Sequence, residues 1–502
     1  MKNTEQQQIK QQRPYFLILL PIFFVLHAYA ENYGFISFRD TFTLTALYLA
    51  MALLIYLFSY FFFRDWLRAA LICSLWMAIF FFFGALHDFL IETLGRGFFS
   101  SYSFLLPAAI LFLVWLFIFL KKTPKRFYRF TVFLNTLLLL YIMIDILTVA
   151  WKITLPKKND LSVYDFAGKK EFKQCDTCKK PDIYFLLFDE YGSSVSLKEQ
   201  YNYGNDIDSL LTAKGFNVQT KSRSNYNYTS FSMSSILNMS YIYGLKNPNA
   251  LTLNEFINSN RLIEYNQSMM LLESYGYDVV NYSMFDIMNA QSLVKQYFLP
   301  LKKKLISDRT LFYRINRDIG WLLYSKLSLP INPNRALLTY LHNNDIFVEL
   351  VKETASKKSG KPRFIYAHFS MPHFPYFFDK DNRRRDDSLA LLQRDMKMIG
   401  SYLGYLPYVN TKIIELVNTI QHNNPDAVII IMGDHGFRSY PTPPNPLPHF
   451  QNLNAVYFPD RDYKGLYESI TGANQFRVIF NKMWHLGFPI IKDSCTYLED
   501  KN

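Results

Sequence analysis

The stretch "AVIIIMGDHGFRSY" (residues 427–440) predicts a buried β-strand that ends in polar residues. Its apolar and β-branched run stops at Gly433, and Asp434, His435 and Gly436 follow directly. A continuous apolar run is typical of a strand that is covered on both faces. In open α/β sheets, functional side chains collect at the carboxyl ends of such strands, and glycine leaves backbone room for a tight turn. The stretch therefore predicts an acid and an imidazole at a functional strand end.

Other stretches predict the rest of the same domain. Near-continuous apolar runs predict further strands at residues 182–189, 277–283, 363–370 and 454–459. Helices are predicted at residues 205–216, 229–239 and 407–423. Alternation of short strands with helical segments predicts an α/β domain with a central, mostly parallel sheet that is flanked by helices.

Long apolar runs precede this domain and predict five transmembrane helices. They cover residues 15–30, 41–63, 69–90, 99–120 and 130–151. Each run approaches or exceeds the roughly 20 residues that a helix needs to cross a bilayer core. The first run has no small-residue cleavage site behind it, so we interpret it as a retained helix and not as a signal peptide.

Basic residues in the short loops predict the orientation of these spans. They concentrate before the first span, between the second and third, and between the fourth and fifth: Lys2, Lys10, Arg13, Arg64, Arg68, Lys121, Lys122, Lys125, Arg126 and Arg129. The alternate loops carry only Arg39 and Arg96. Because basic loops remain in the cytoplasm, the N-terminus is predicted to be cytoplasmic. An odd number of spans in the inner, cytoplasmic membrane then places the following residues in the periplasm.

The expected division has three parts: a five-helix transmembrane domain (1–151), a lysine-rich extracytoplasmic connector (152–180) and a catalytic domain (181–502). The formal net charge of +13 suits attraction to anionic lipid headgroups. Nucleic acid is not expected as a partner, because no basic-aromatic motif is present and the compartment is wrong.

Three of the four cysteines lie outside the predicted spans. Cys175 and Cys178 form a C-x-x-C motif in the connector, and Cys495 lies near the C-terminus. An oxidising compartment favours a disulfide. A local Cys175–Cys178 bridge and the pairing of one of these residues with Cys495 both remain open.

The predicted strand ends carry side chains that suit a metal ion. They are Asp189, Glu190, His368, His373, Asp434 and His435. Carboxylates and imidazoles together form a shell for Zn²⁺ or Mn²⁺. Taken singly, an acid after a strand can cap a turn, and a histidine can be a hydrogen-bonded structural residue. Their coincidence at several strand ends predicts a metal site.

A predicted helix supplies hydroxyl groups for covalent chemistry. The stretch "SNYNYTSFSMSSILNM" (224–239) places Thr229 at the helix start, where free N–H groups and the helix dipole favour an anion. A metal-bound hydroxyl loses its proton more readily and becomes a nucleophile. Thr229 is thus the predicted nucleophile, with Ser230 and Ser232 in reserve. The alternative is that Thr229 only caps the helix.

Taken in chain order, these motifs resemble a known family. The acid after the first strand, Thr229 at a helix start, "PHFP" around His373 and then "DHG" resemble the sulfatase-like branch of the alkaline phosphatase superfamily. With transmembrane helices before it, the chain is similar in architecture to lipoteichoic acid synthase and the lipid A phosphoethanolamine transferases.

The resemblance implies roles for the site residues. It implies one divalent metal ion, zinc or manganese with calcium and magnesium as alternatives, on Asp189 and/or Glu190, Thr229, Asp434 and His435. It also implies substrate-binding roles, with His373 on the transferred group or its acceptor and Arg438 on an anion. His368 is a further substrate-binding candidate.

Two features depart from the resemblance. Those transferases present a single glutamate after the first strand, whereas "FDE" at 188–190 resembles the paired acids of sulfatases. Yet none of the four cysteines lies in the Cys-x-Pro-x-Arg sequence that provides the formylglycine of sulfatases. The sequence therefore argues against a formylglycine sulfatase.

We expect a membrane-anchored transferase that moves a phosphoethanolamine- or phosphoglycerol-type group through a phospho-threonine intermediate. A membrane lipid would be the donor, and an envelope glycan or lipid the acceptor. A sulfatase or phosphodiesterase with water as acceptor is the alternative, and a non-enzymatic binding module is a third hypothesis.

Four ionisable residues lie inside the apolar runs, which is costly: His27, His87, Asp88 and Asp145. Their predicted role is to bind a lipid headgroup or to contact the catalytic domain; the alternative is that their side chains only extend to water.

Overall fold

The structure is a computed structural model of the chain. It describes residues 13–499 apart from 34–35, 96, 125–126, 155–160, 164–174, 176, 295–302, 320–334, 387–398 and 439–444. Most of the predicted connector lies outside the described residues, as do the loop residues Lys2, Lys10, Arg96, Lys125 and Arg126. The chain forms two compact units, the first of residues 1–158 with 298–333 and the second of residues 159–297 with 334–502.

The first unit contains long apolar helices. They are α1 (Phe16–Glu31), α2 (Phe38–Phe63), α3 (Trp66–Leu94), α4 (Tyr102–Lys122) and α5 (Tyr128–Thr154). In the described part of the chain, the last four are long and apolar enough to cross a membrane. Helix α1 has only 16 residues, about 24 Å of helix against a core of roughly 30 Å. Four predicted spans are thus present, and the count of five is not confirmed.

The starts of two spans have local causes. Ser37 precedes α2, and its hydroxyl accepts a hydrogen bond from the amide of Asp40 at 3.0 Å. Asp65 precedes α3, and its carboxylate accepts from the amides of Leu67 and Arg68 at 2.9 and 3.0 Å. These side chains satisfy amides that lack a partner within the helix, so each cap fixes where its span begins.

A segment from later in the sequence completes the first unit. Its helices are α11 (Lys304–Ser307) and α12 (Leu311–Asp318). The Gly84 amide of α3 donates to the Arg309 carbonyl at 2.8 Å. Residues 298–333 therefore fall in a different unit from the one that the sequence-based division of 181–502 expects. Local composition does not reveal pairings between residues more than 200 positions apart.

The four ionisable residues of the apolar runs have specific partners. His27 Nδ1 lies 3.0 Å from an Asp145 carboxylate oxygen. His87 Nε2 lies 3.0 Å from the Ser100 carbonyl, and Asp88 pairs with Arg314 of α12. Each contact gives a polar side chain a partner in a setting where polar groups are costly, so the side chains join elements of the first unit.

The second unit is built on a mixed, six-stranded sheet. Its strands are β1 (Ile183–Phe188), β2 (Asn217–Val218), β3 (Asp278–Tyr282), β4 (Arg363–Phe369), β5 (Val428–Gly433) and β6 (Asn454–Tyr457). They lie in the order β2-β6-β5-β1-β4-β3. The four neighbouring strands β5, β1, β4 and β3 are parallel to one another. Strand β6 pairs antiparallel with β5, and β2 pairs antiparallel with β6. All five predicted strands are present, while the two-residue β2 is too short to give a sequence pattern.

Helices cover both faces of this sheet. They are α6 (Ser194–Tyr201), α7 (Ile207–Ala213), α8 (Thr229–Asn238), α9 (Leu253–Glu264), α10 (Gln267–Ser274), α13 (Arg335–Ser356), α14 (Ile399–Asn423) and α15 (Gly472–Trp484). Alternate residues of β1 enter opposite cores. Leu186 packs with α13 and α14, and Phe185 packs with α8 and α15. Each fully buried side chain of this size contributes about 1.5–3 kcal/mol, which fixes the central strand ends in place.

Of the two disulfide pairings left open, the structure contains the local one. Cys175 is bonded to Cys178, and Cys495 is a partly buried free thiol. The bridge closes a short loop just before β1.

Candidate active site

The register of the sheet brings two acids together. Strands β1 and β5 are parallel neighbours, and their last residues, Phe188 and Gly433, are paired. Asp189 and Asp434 therefore leave the sheet side by side at its carboxyl edge, where parallel α/β sheets gather their functional groups.

The two glycines of "GDHG" allow close approach of other backbone segments. A Cβ atom at Gly433 would lie 2.4 Å from the Tyr191 carbonyl oxygen, and one at Gly436 would lie 2.1 Å from the Pro448 carbonyl oxygen. Both distances are well inside van der Waals contact. Any side chain here would push the flanking loops away from Asp434 and His435, so glycine is required for close packing around the turn.

Asp189, Asp434 and His435 form a candidate metal centre. All three are buried, and each offers one ligand atom within 4.8 Å of the others. His435 Nδ1 donates a hydrogen bond to the Gly436 carbonyl at 2.8 Å, since a carbonyl can only accept. This fixes the tautomer and leaves the lone pair on Nε2, which lies 3.3 Å from Asp434 Oδ2 and 4.0 Å from Asp189 Oδ1.

The charges of this centre call for a cation. Asp189 Oδ1 and Asp434 Oδ2 are buried and accept no hydrogen bond from any described residue. Burial, with the neighbouring Asp434 carboxylate, raises the pKa of Asp189 to about 8. Burial also lowers the pKa of His435 to about 3, which keeps the imidazole neutral. Two buried acids and a neutral imidazole fit a divalent metal ion.

Thr229 faces this centre from the beginning of α8. Its hydroxyl oxygen lies 3.3 Å from His435 Nε2. The residue before it, Tyr228, occupies the N-cap position, so Thr229 is the first helical residue and not the cap. A helix N-terminus stabilises negative charge, which suits a hydroxyl that must become an oxyanion.

The two reserve hydroxyls are engaged elsewhere. Ser230 Oγ accepts a hydrogen bond from the Asn260 side-chain amide at 3.2 Å. Ser232 Oγ donates to the Asp434 carbonyl at 2.5 Å, and this bond ties α8 to the end of β5. Of the three predicted nucleophiles, Thr229 is the one with its hydroxyl beside His435.

Glu190, Arg438 and His373 form a second charged group beside the metal centre. Glu190 Oε1 accepts from the Arg438 amide at 2.9 Å and lies 3.5 Å from Arg438 Nε. Glu190 Oε2 lies 3.8 Å from His373 Nε2. Burial alone would raise the pKa of Glu190, but the charges of His373 and Arg438 lower it. The pKa of His373 is raised against burial by the facing acids Asp189 and Glu190.

His368 belongs to the wall of the site. Its Nδ1 shares a hydrogen bond of 2.9 Å with the Tyr366 hydroxyl, within β4. Burial lowers the pKa of His368 to about 4, so the ring is neutral. A role of His368 in substrate binding stays a prediction.

Tyr402 is a site residue that the sequence did not indicate. Its hydroxyl accepts from the Gly192 amide at 3.1 Å and donates to the Glu190 carbonyl at 3.0 Å, which fixes the turn after β1. The helix predicted from the apolar periodicity of this stretch began at Pro407. Helix α14 instead contains Pro407 and extends back to Ile399, so Tyr402 lay outside the predicted element.

A helix-start hydroxyl, two acids and an imidazole at parallel strand ends define an α/β enzyme that transfers or hydrolyses anionic esters. The sulfatase family model matches residues 209–478, which is more than half of the chain, and the protein belongs to this family. It is an enzyme of the phosphoryl- or sulfuryl-transfer or ester-hydrolase type, with a divalent metal ion. The match begins after β1, so Asp189 and Glu190 lie outside it.

Solved structures that resemble the chain come from several bacteria. The periplasmic domain of phosphoethanolamine transferase EptC from Campylobacter jejuni is 13% identical, with 62% of this chain and 93% of that chain covered and a TM-score of 0.37. The zinc complex of the EptC periplasmic domain from Escherichia coli is 13% identical, with 66% and 92% covered and a TM-score of 0.38. A Bacteroides thetaiotaomicron protein linked to glycosaminoglycan metabolism is 16% identical, with 62% and 73% covered and a TM-score of 0.37. No curated protein matches the sequence.

Proposed function

We propose that the protein transfers a phosphorylated headgroup, of the phosphoethanolamine or phosphoglycerol type, from a membrane lipid to an envelope glycan or lipid. The observation that carries this proposal is the position of Thr229, whose hydroxyl lies 3.3 Å from His435 Nε2 at a helix start. A covalent phospho-threonine would hold the group between donor and acceptor. The four long apolar helices support a lipid as the donor, because they keep the enzyme at the membrane and raise the effective donor concentration.

Asp189, Asp434 and His435 would hold the metal ion, with Thr229 as a further ligand. The ligand set of carboxylates and imidazole suits zinc or manganese, with calcium and magnesium as alternatives. When bound, the ion supplies positive charge for the transferred group and for the deprotonated Thr229 hydroxyl.

The transfer takes two balanced steps. In the first, a bond forms between the Thr229 oxygen and phosphorus, the bond from phosphorus to the lipid oxygen breaks, and the lipid oxygen gains the proton that Thr229 lost. In the second, a bond forms between an acceptor hydroxyl oxygen and phosphorus, the bond from phosphorus to the Thr229 oxygen breaks, and the proton of the acceptor hydroxyl returns to the Thr229 oxygen. Arg438 and His373 lie beside the site and offset the negative charge of the transferred group.

The orientation of the helices is part of the proposal. The described loop residues Arg64, Arg68, Lys121 and Lys122 lie at the same predicted side of the spans, which supports a cytoplasmic location for that side. The catalytic unit would then be periplasmic, at the outer surface of the cytoplasmic membrane, where envelope acceptors are present.

A second candidate is an ester hydrolase of the same family, with water as the acceptor. The paired acids at 189–190 favour this reading because they resemble the paired acids of sulfatases. In both candidates Thr229 takes the position of the nucleophile, and only the acceptor differs.

The experiment uses the full-length protein in detergent micelles. We expect turnover of a chromogenic phosphodiester that depends on added metal and is lost in Thr229→Ala. A comparison of lipid headgroups in cells with and without the gene then separates the two candidates, because a transferase leaves a modified acceptor. Turnover of a sulfate monoester in place of the phosphodiester, with no modified acceptor, would overturn the transferase proposal.

A further inference from the structure

We infer that Glu190 is a positioning residue and not a metal ligand: it orients Arg438 and His373 as the pair that binds the anionic group opposite the metal centre. This inference rests on the proposed function, since it assigns how the same site recognises the transferred phosphoryl group. It also gives the second acid of "FDE" a role different from that of the first.

The Glu190 carboxylate lies beside two basic side chains, Arg438 and His373. One carboxylate oxygen accepts from the Arg438 amide at 2.9 Å and lies 3.5 Å from Arg438 Nε. The other oxygen lies 3.8 Å from His373 Nε2. Among the described residues, the group of ligand atoms within 4.8 Å contains Asp189, Asp434 and His435 but not Glu190. The two neighbouring acids therefore serve different partners.

The backbone explains how adjacent acids separate. Glu190 has a φ of +64°, a left-handed conformation that is rare and strained for a residue with a side chain. Its amide donates to Asp434 Oδ1 at 2.8 Å, and its carbonyl accepts from the Tyr402 hydroxyl at 3.0 Å. These bonds hold the left-handed turn, so that the main chain touches the metal centre while the carboxylate contacts Arg438.

Arg438 lies where an anion would meet the nucleophile. Its guanidinium lies 5.0 Å from the ring centre of Tyr228, the residue directly before Thr229. The Arg438 side chain thus lies beside both the Glu190 carboxylate and the Tyr228 ring. An arginine held in this way loses less conformational freedom when it binds a phosphoryl oxygen. His373 is anchored as well, because its amide donates to the Asp189 carbonyl at 3.1 Å.

The test compares the isosteric variants Glu190→Gln and Asp189→Asn in the full-length protein, which remove one charge each at adjacent positions. The first readout is manganese content after dialysis, by elemental analysis. We expect Glu190→Gln to keep the wild-type metal stoichiometry and Asp189→Asn to lose at least about tenfold in metal affinity. Loss of metal in both variants would overturn the inference.

The second readout is the binding of inorganic phosphate to the manganese-loaded protein by calorimetric titration. We expect Glu190→Gln and Arg438→Gln each to weaken phosphate binding about 10- to 100-fold, and the double variant to lose less than the product of the two single effects, because Glu190 acts in part through Arg438. If the losses in phosphate affinity of the two single variants multiply in the double variant, Glu190 does not act through Arg438. Lys198→Gln, at an exposed lysine of α6, is the matched charge control.

The third readout separates this inference from the proposed function. With a chromogenic phosphodiester, Glu190→Gln is expected to raise KM more than it lowers kcat, because it disorders the group that binds the anion. If the wild-type protein does not turn over this substrate, the proposed function fails, while metal content and phosphate binding still decide the role of Glu190.

Discussion

The guanidinium of Arg314 donates two hydrogen bonds to the carboxylate of Asp88, at 2.8 and 2.6 Å. This bidentate pair joins α3 of the first unit to α12 from the later segment. We expect Asp88→Asn to lower the stability of the protein by about 1–3 kcal/mol, because Arg314 is nearly buried and loses a charged partner. Thermal unfolding in detergent measures the loss. Glu92→Gln, at an exposed acid of the same helix, is the control, and an equal shift in both variants would contradict the prediction.

Thr229→Ala is expected to lower kcat at least about a thousandfold, because the hydroxyl that forms the covalent bond is gone. The metal content is expected to be retained. Thr229→Ser keeps a hydroxyl at the same place and should keep part of the activity. The control is Thr411→Ala, at an exposed position of helix α14, whose hydroxyl donates to the Pro407 carbonyl at 3.0 Å within the same helix. Full activity in Thr229→Ala would rule out its role as nucleophile.

The effect of the metal ion on stability is expected to grow as pH rises. In the metal-free protein the pKa of Asp189 is about 8, against 3.8 for an exposed aspartate. Between these values the unfolded chain binds fewer protons than the folded one, so the stability of the metal-free protein falls with rising pH. A bound metal ion replaces the proton and removes this loss.

The measurement is Tm with a chelator and with saturating manganese at several pH values from 5.5 to 8.5, a range chosen around the pKa of about 8. A metal-dependent increase in Tm that is the same at every pH would show that Asp189 is ionised without the metal.

Gly436→Ala is expected to destabilise the protein and to weaken metal binding. A Cβ atom there would lie 2.1 Å from the Pro448 carbonyl oxygen and 2.7 Å from the Gln451 carbonyl oxygen, so the backbone beside His435 must move. Strain of this kind costs about 1–3 kcal/mol. Gly360→Ala is the matched control, because its Cβ meets no described atom within 4 Å. Equal Tm and metal affinity in both variants would contradict the prediction.

The sequence predicted the strand ends because their signal is local. The apolar run before Gly433 reports burial on both faces of β5, and "GDHG" directly after it marks the carboxyl edge. Asp189 is adjacent to Asp434 because β1 pairs with β5 in the observed register, which the general rule for parallel sheets anticipates.

The sequence could not predict features that depend on contacts distant in the chain. The pattern "FDE" shows two acids but not the left-handed turn at Glu190, which separates their side chains. The pairing of α12 with α3 rests on the ion pair between Asp88 and Arg314, and α12 lies in a segment with no membrane-like composition. Such partners become visible only when the chain is folded.

Residue Arg314 follows Asp88 by 226 positions, and this separation sets an order of events during biosynthesis. At about 5–20 residues per second, the ribosome needs roughly 10–45 s after α3 has been made before it reaches α12. The apolar helices therefore enter the bilayer as an unfinished assembly, and Asp88 gains its arginine only after much of the sheet has been synthesised. The Asp88–Arg314 pair can thus form only after the chain has been translated at least as far as residue 314.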